Sequence, residues 1–160
     1  MSPAHSFRSR SAEETQALGR TLGELLRGGD VIGLSGPLGA GKTCFVQGLA
    51  RGLGVAPGVA VTSPTFVLVA EYPARVWLRH ADFYRVESYA RLLDAGFDDL
   101  AAPDGVLVVE WPERFPEALP AERLELRISA DAKSGERVIE SEARGERARE
   151  LEKELESRWR

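Results

Sequence analysis

The chain contains little of several residue types, and each shortage excludes a class of structure or function. Its 160 residues include one cysteine, Cys44, so no internal disulfide can form. Asparagine is absent, which removes the Asn-Lys-x-Asp motif that normally reads guanine and argues against a GTPase. No apolar run is long enough to span a bilayer, and residues 1–10 lack the apolar core of a signal peptide. We therefore expect a cytoplasmic protein with no membrane segment.

The charge balance and the length restrict the kind of partner and the number of domains. The chain carries 21 basic and 25 acidic side chains, a net charge of −4, which argues against a nucleic-acid footprint spread over the surface. A local basic patch remains compatible with this balance. With 43% hydrophobic residues, the chain is long enough to form one domain around a single core.

Residues 36–43 have the pattern G-x-x-x-x-G-K-T, which predicts a phosphate-binding loop. The loop follows an apolar run at Val31–Leu34, typical of a buried strand, and precedes helical apolar spacing that extends to Leu53. A helix that begins at the loop directs its N-terminus at the bound anion. The predicted nucleotide-binding residues are Gly36, Pro37, Leu38, Gly39, Ala40, Gly41, Lys42 and Thr43. Lys42 would contact the outer phosphates, and the Thr43 hydroxyl would bind Mg²⁺.

Two carboxylates are candidates for the chemistry beside this loop. Residues 106–110 are an apolar run ending in Glu110, the pattern of a buried parallel strand that delivers an acid to the phosphate loop. Asp82 ends another predicted strand in the sequence His80-Ala81-Asp82, where alternate residues share a face. We expect His80 and Asp82 either to act together or to form a polar strand end. Trp111 would place an aromatic ring near the same site.

The remaining segments complete an α/β pattern. The segment from Ser63 to Thr65 is either a turn or a switch that responds to the terminal phosphate. Other predictions are an edge strand at 6–10, a helix capped by Ser11, a hairpin over 67–82, strands at 124–128 and 137–142, and a charged helix at 144–160. We predict a single domain over 1–143, with 144–160 as a helix that docks on it or projects. Cys44 lies in the first turn of the loop helix, where a thiolate with a redox role would be favoured. Because free cysteines are usually packed in the interior, we expect a small packed side chain here instead.

Several motifs occur together and in a fixed order, and together they resemble one family. They are GPLGAGKTCF at 36–45, SPTF at 63–66, Glu71-Tyr72, HADFYR at 80–85 and EWPE at 110–113. This set resembles the TsaE (YjeE) family of bacterial P-loop ATPases, which are needed to make threonylcarbamoyladenosine in tRNA. The motifs span about half of the chain. The sequence departs from the family at Pro37, where an acid is common, and at Cys44, where Thr is common.

The resemblance implies a fold, ligands and partners. The fold would be a P-loop NTPase-like α/β fold, a parallel sheet extended by antiparallel strands and flanked by helices. ATP and Mg²⁺ would be the ligands, with Lys42 on phosphate, Thr43 and Glu110 on Mg²⁺, Asp82 needed for turnover and Trp111 close to the nucleotide. The implied partners are TsaB and the transferase TsaD, so that contact with tRNA is indirect and hydrolysis resets the complex.

Two other functions compete with this interpretation. The length and fold class also suit a small-molecule kinase, which would need an acceptor pocket and a closing lid. A nucleotide-sensing interaction module without meaningful catalysis is the second alternative. Neither the oligomeric state nor the adenine contacts follow from the sequence, although Ser11 to Glu13 and the region around Arg137 are candidates for adenine by position.

Overall fold

The computed structural model describes residues 5–64 and 68–159. Within these ranges, no helix is both long and apolar enough to cross a membrane. The strands are β1 (His5–Ser9), β2 (Val31–Ser35), β3 (Val69–Tyr72), β4 (Trp77–Asp82), β5 (Gly105–Glu110), β6 (Arg123–Ala130) and β7 (Arg137–Arg144). The α-helices are α1 (Ala12–Leu25), α2 (Lys42–Leu53), α3 (Tyr89–Asp94) and α4 (Glu146–Arg158), with short 3₁₀ turns at Phe97–Asp99, Pro112–Arg114 and Pro116–Ala118.

All seven strands form one sheet, in the order β1-β7-β6-β2-β5-β4-β3. The four central strands β6, β2, β5 and β4 are parallel, while β3 at one edge and β7 and β1 at the other are antiparallel to their neighbours. Every residue of β5 is buried, as expected for an apolar strand covered on both faces. The predicted fold class, a parallel sheet extended by antiparallel strands and flanked by helices, is confirmed.

The two faces of the sheet are covered by different elements. Helices α1, α2 and α4 pack on one face, where fully buried side chains such as Leu22 and Phe45 form the larger core. On the other face, α3 and the turns after β5 enclose a smaller core around Phe83. The Phe83 ring meets Phe97 edge-on at 5.0 Å between centroids, a favoured aromatic geometry.

Helices α1 and α2 cross with their backbones in contact, which the sequence analysis did not predict. Gly19 and Gly23 of α1 and Gly48 and Gly52 of α2 repeat at four-residue spacing and face each other. A Cβ atom at Gly48 would lie 2.0 Å from the Gln16 carbonyl oxygen, and the other three glycines would meet backbone oxygens at 2.1 or 2.2 Å. Because only hydrogen atoms fit there, α1 is held rigidly against the helix that follows the phosphate loop.

Helix α4 docks on the domain through its apolar stripe and two polar contacts. Ala148, Leu151 and Leu155 of the predicted stripe are buried in the larger core. The Arg147 guanidinium donates two hydrogen bonds to the buried Asp30 carboxylate, at 3.0 and 2.9 Å. Ser141 of β7 donates to the buried Glu152 carboxylate at 2.6 Å. The helix therefore packs against the domain, while the division of the chain after residue 143 stays a prediction.

Candidate functional site

The phosphate-loop sequence connects β2 to α2, as predicted from its flanks. Gly41 precedes α2 with φ = 109°, a left-handed conformation that side chains rarely adopt. A Cβ atom at Gly36 would lie 2.2 Å from the Ile128 carbonyl oxygen, so the loop also needs glycine at its first position. No side chain among the described residues caps the α2 N-terminus. Its first N–H groups are therefore available to an anion.

Lys42 places a buried ammonium group at this helix end. Its side chain donates to the carbonyl oxygens of Gly36 and Pro37, and Nζ lies 4.1 Å from the Trp111 ring centroid. The residue is only 6% exposed. Burial lowers the pKa of Lys42, while the carboxylates of Glu110, Glu113 and Asp82 act in the opposite direction. Among the described residues, no carboxylate forms a salt bridge with Lys42, so an incoming anion would compensate its charge directly.

Asp82 and Glu110 lie side by side at the carboxyl ends of neighbouring strands. They are register partners in the parallel pair β4–β5, and β5 in turn pairs with β2, the strand that leads into the loop. Both are buried, at 4% and 3% exposure. The topology therefore brings together three segments that are far apart in sequence: the loop and the two acids. This is the edge at which open α/β sheets bind their ligands.

His80 pairs with Glu110 and not with Asp82, which corrects one of the two sequence-based expectations. His80 is fully buried, and its Nε2 lies 2.6 Å from Oε2 of Glu110. Asp82 has other partners, because its Oδ2 accepts from Ser63 Oγ at 2.8 Å and its Oδ1 accepts from the Tyr84 N–H at 2.8 Å. The predicted switch residue Ser63 is thus tied to Asp82. Its companion Thr65 lies outside the described residues.

Trp111 lies over the site in a left-handed conformation with φ = 58°, which is uncommon for a residue with a side chain. Its ring packs against Lys42 and against Tyr84, whose ring centroid is 5.0 Å away. Tyr84 was not among the predicted site residues, although it follows the H-x-D motif by two positions. Arg114, which donates to the Phe83 carbonyl at 3.2 Å and to the Tyr84 carbonyl, was not among them either. The signal for Arg114 was its position directly after E-W-P-E.

Two clefts meet at the loop. The first, of about 420 Å³, is lined by Leu38, Gly39, Gly41, Lys42, Thr43, Cys44, Ser63, Asp82, Tyr84, Glu110 and Trp111. The second, of about 290 Å³, lies between the start of α1 and β7 and includes Ser11 and Arg137. Gly41 and Cys44 line both clefts, so the two are neighbours on either side of the loop. Arg137 also donates to the Gly39 carbonyl at 3.3 Å.

The donor set of the first cleft fits a metal ion that arrives with a ligand. Within residues 5–64 and 68–159, no three His, Cys, Asp or Glu side chains are arranged to hold a metal ion. Mg²⁺ is commonly held by one or two protein oxygens together with phosphates and waters. The Thr43 hydroxyl and the Glu110 carboxylate line the same cleft and are oxygen donors of this kind.

Comparison with known proteins places the chain in a family. The family model described as "Threonylcarbamoyl adenosine biosynthesis protein TsaE" matches residues 9–139. The chain belongs to the TsaE family. It is 46% identical to the Treponema pallidum tRNA threonylcarbamoyladenosine biosynthesis protein TsaE over 125 residues, covering 77% of this chain and 91% of the relative. It is 41% identical to the Bacillus subtilis TsaE over 150 residues, covering 93% and 92%.

A solved structure has the same fold. The crystal structure of YdiB from Bacillus subtilis superposes with a TM-score of 0.84 at 35% sequence identity, covering 98% of this chain and 97% of that one. The resemblance inferred from the motifs is therefore confirmed by the family model and the sequence relatives, and the chain shares the fold of YdiB over almost its full length. The family description connects it to the biosynthesis of threonylcarbamoyladenosine in tRNA.

Cys44 is a packed side chain, as expected, and not the thiolate that its helix position alone would favour. A position in the first turn of a helix favours the thiolate, yet burial raises the pKa of Cys44, and the nearby Glu13 carboxylate raises it further. The Sγ atom lies 3.2 Å from the Ala12 carbonyl oxygen of α1 and packs between the two helices. In this TsaE-family chain the residue is thus a half-buried, packed thiol with a raised pKa.

Proposed function

We propose that this chain binds and hydrolyses ATP as a subunit of the machinery that makes threonylcarbamoyladenosine in tRNA. The observation that carries this proposal is the buried ammonium of Lys42, which contacts the phosphate-loop carbonyls and interacts electrostatically with the buried carboxylates of Glu110 and Asp82. A buried cation beside an uncapped helix N-terminus suits the phosphates of a nucleotide. Membership of the TsaE family supplies the biosynthetic setting.

The two neighbouring clefts suggest how the nucleotide lies. Its phosphates would occupy the larger cleft, against Lys42 and the first N–H groups of α2. Its base would extend past Gly41 into the smaller cleft, between Ser11 and Arg137. Both residues belong to the segments that position alone had suggested for adenine.

Each polar side chain of the larger cleft then has a distinct task. Lys42 would exchange the carbonyls of Gly36 and Pro37 for phosphate oxygens. Thr43 and Glu110 would hold Mg²⁺, which neutralises charge on the phosphates when bound. Asp82 would orient the attacking water, because it is buried directly opposite Glu110 at the carboxyl end of the neighbouring strand and lines the same cleft as Lys42.

The proposed role of hydrolysis is to reset a partner transferase. The partners would be TsaB and TsaD, and this chain itself would transfer no carbamoyl group. We expect weak turnover in isolation and faster turnover in the complex, since an arginine finger supplied by a partner contributes about 10³–10⁵ in rate. Arg85 in the H-A-D-F-Y-R motif is an alternative donor within the chain.

Calorimetric titration with Mg²⁺·ADP and Mg²⁺·ATP tests the binding site. Lys42→Ala removes a charge-assisted contact, typically worth about 1.5–3 kcal/mol, so affinity should fall at least tenfold. Lys133→Ala is the matched control, because Lys133 is exposed in the turn between β6 and β7. Equal affinity of the Lys42→Ala and Lys133→Ala proteins would refute the assignment.

Separate measurements distinguish the two acids. Asp82→Asn should bind Mg²⁺·ATP almost normally but hydrolyse it very slowly in a single turnover, because a group that orients water acts in the transition state. Glu110→Gln should need more Mg²⁺ for binding as well. If Asp82→Asn shifts the Mg²⁺ dependence and Glu110→Gln does not, the two roles are exchanged.

The competing functions predict other outcomes. A kinase would phosphorylate a small acceptor from ATP, and a sensing module would bind ATP without hydrolysing it in a single turnover. A pull-down with TsaB and TsaD, with and without ATP, tests the partner assignment. The partner assignment is contradicted if neither TsaB nor TsaD binds this chain, whether ATP is present or absent.

A further inference from the structure

We infer that His80 is a positioning residue that holds the Glu110 carboxylate in the orientation needed for its role at the metal. This inference rests on the proposed function, in which Glu110 is a ligand of Mg²⁺. The histidine of the H-x-D motif, His80, contacts Glu110 on strand β5 and not the aspartate of its own motif.

The contact is short, buried and directional. Nε2 of His80 lies 2.6 Å from Oε2 of Glu110, and the two residues are 0% and 3% exposed. An ionised carboxylate only accepts hydrogen bonds, so the imidazole tautomer that fits this contact carries its proton on Nε2. The other ring nitrogen, Nδ1, is buried with no hydrogen-bond partner in the described part of the chain. A proton on Nε2 alone therefore satisfies the pair and leaves no unpaired N–H donor in the core.

The sheet register explains why the ring reaches Glu110. His80 of β4 is the register partner of Val108 on β5, and Glu110 follows on the same face of that strand. The imidazole thus lies two residues further from the carboxyl end of the sheet than the Glu110 carboxylate, and it contacts that carboxylate from the interior side. Asp82, which is directly opposite Glu110, is held by Ser63 and the Tyr84 N–H.

This arrangement divides the two oxygens of Glu110 between two tasks. Oε2 is engaged by His80, which leaves Oε1 for the cleft that Thr43 also lines. Histidines and carboxylates behind a metal ligand fix its orientation, and removing such a partner typically lowers metal affinity about 10–100-fold. His80 would thereby set the Mg²⁺ affinity of the nucleotide complex without touching the nucleotide.

The test compares His80→Leu, which removes the donor, with His80→Gln, whose amide nitrogen can donate from nearly the same place. Binding of a fluorescent ADP analogue is measured across a Mg²⁺ titration and again in excess EDTA. We expect His80→Leu to raise the half-saturating Mg²⁺ concentration at least about tenfold, with unchanged affinity in EDTA. His80→Gln should recover most of the loss. An unchanged Mg²⁺ dependence in a His80→Leu protein that binds normally in EDTA would overturn the inference.

Further measurements distinguish failure of this inference from failure of the proposed metal role of Glu110. If the unaltered protein binds the analogue without any Mg²⁺ dependence, the proposed metal role of Glu110 fails. If Glu110→Gln shifts the dependence and His80→Leu does not, only the role of His80 fails. Should His80→Leu not fold, ¹⁵N NMR of the imidazole in the unaltered protein decides: a proton on Nε2 supports the inference, and a proton on Nδ1 alone refutes it.

Discussion

Replacing Gly48 with alanine would place a methyl group where the backbone of α1 already lies. The added Cβ would lie 2.0 Å from the carbonyl oxygen of Gln16, 2.7 Å from its carbonyl carbon and 2.8 Å from its Cα. Ordinary van der Waals contact begins at about 3.4 Å, so the helices must move apart by more than 1 Å. Because the obstacle is helix backbone, no side-chain rotation can relieve the clash.

The magnitude follows from two opposing effects. Overpacking a core typically costs about 1–3 kcal/mol, and contact with rigid backbone places this site at about 3. Alanine in place of glycine returns about 1 kcal/mol of helix propensity. We therefore expect a net loss of about 2 kcal/mol in the free energy of unfolding. In a domain of this size, that loss lowers the Tm by about 4–8 °C.

Thermal and urea unfolding followed by circular dichroism measure this effect. The control is Gly58→Ala, because Gly58 is exposed, has open space around it and lies outside the left-handed region. That variant should be neutral or more stable by up to about 1 kcal/mol. If Gly48→Ala is as stable as Gly58→Ala, the backbone contact between α1 and α2 is not as close as the structure indicates.

Three further substitutions or treatments have definite expected results. Arg147→Met leaves the buried Asp30 carboxylate without its ion pair and should cost about 3 kcal/mol in urea unfolding, whereas Arg149→Met on the exposed face of α4 should cost almost nothing. Cys44 should react with iodoacetamide more slowly than a free thiol at pH 8, because its raised pKa reduces the thiolate fraction. Its reaction rate should keep rising above the pH range in which ordinary thiols titrate. A rate at pH 8 equal to that of a free thiol would contradict this expectation. Arg75→Leu removes guanidinium bonds to the last carbonyls of both α1 and α2, so it should lower the free energy of unfolding by about 1 kcal/mol; an unchanged urea midpoint would count against this role.

The sequence by itself determined most of the secondary-structure elements and the family. The glycines, Lys42 and Thr43 in one eight-residue run predicted a loop between a strand and a helix, because short-range spacing dictates the turn and the helix that follows. The apolar run ending in Glu110 predicted a buried parallel strand, and alternating patterns predicted the hairpins. The motif order was also sufficient to identify the family. These features depend on residues within one turn or one strand of each other.

Only the tertiary structure decided which side chains meet. His80 and Asp82 share a short motif, but the sheet places His80 against Glu110, 30 residues away in sequence. Arg147 forms an ion pair with Asp30, which is 117 residues away in sequence. The glycines of α1 and α2 lie against the backbone of the opposite helix, although neither helix requires glycine for its own geometry. The thiol of Cys44 is half-buried against α1, and this partial burial raises its pKa although the helix end favours a thiolate. Distance, burial and register between remote segments set these contacts, and local periodicity contains no information about them.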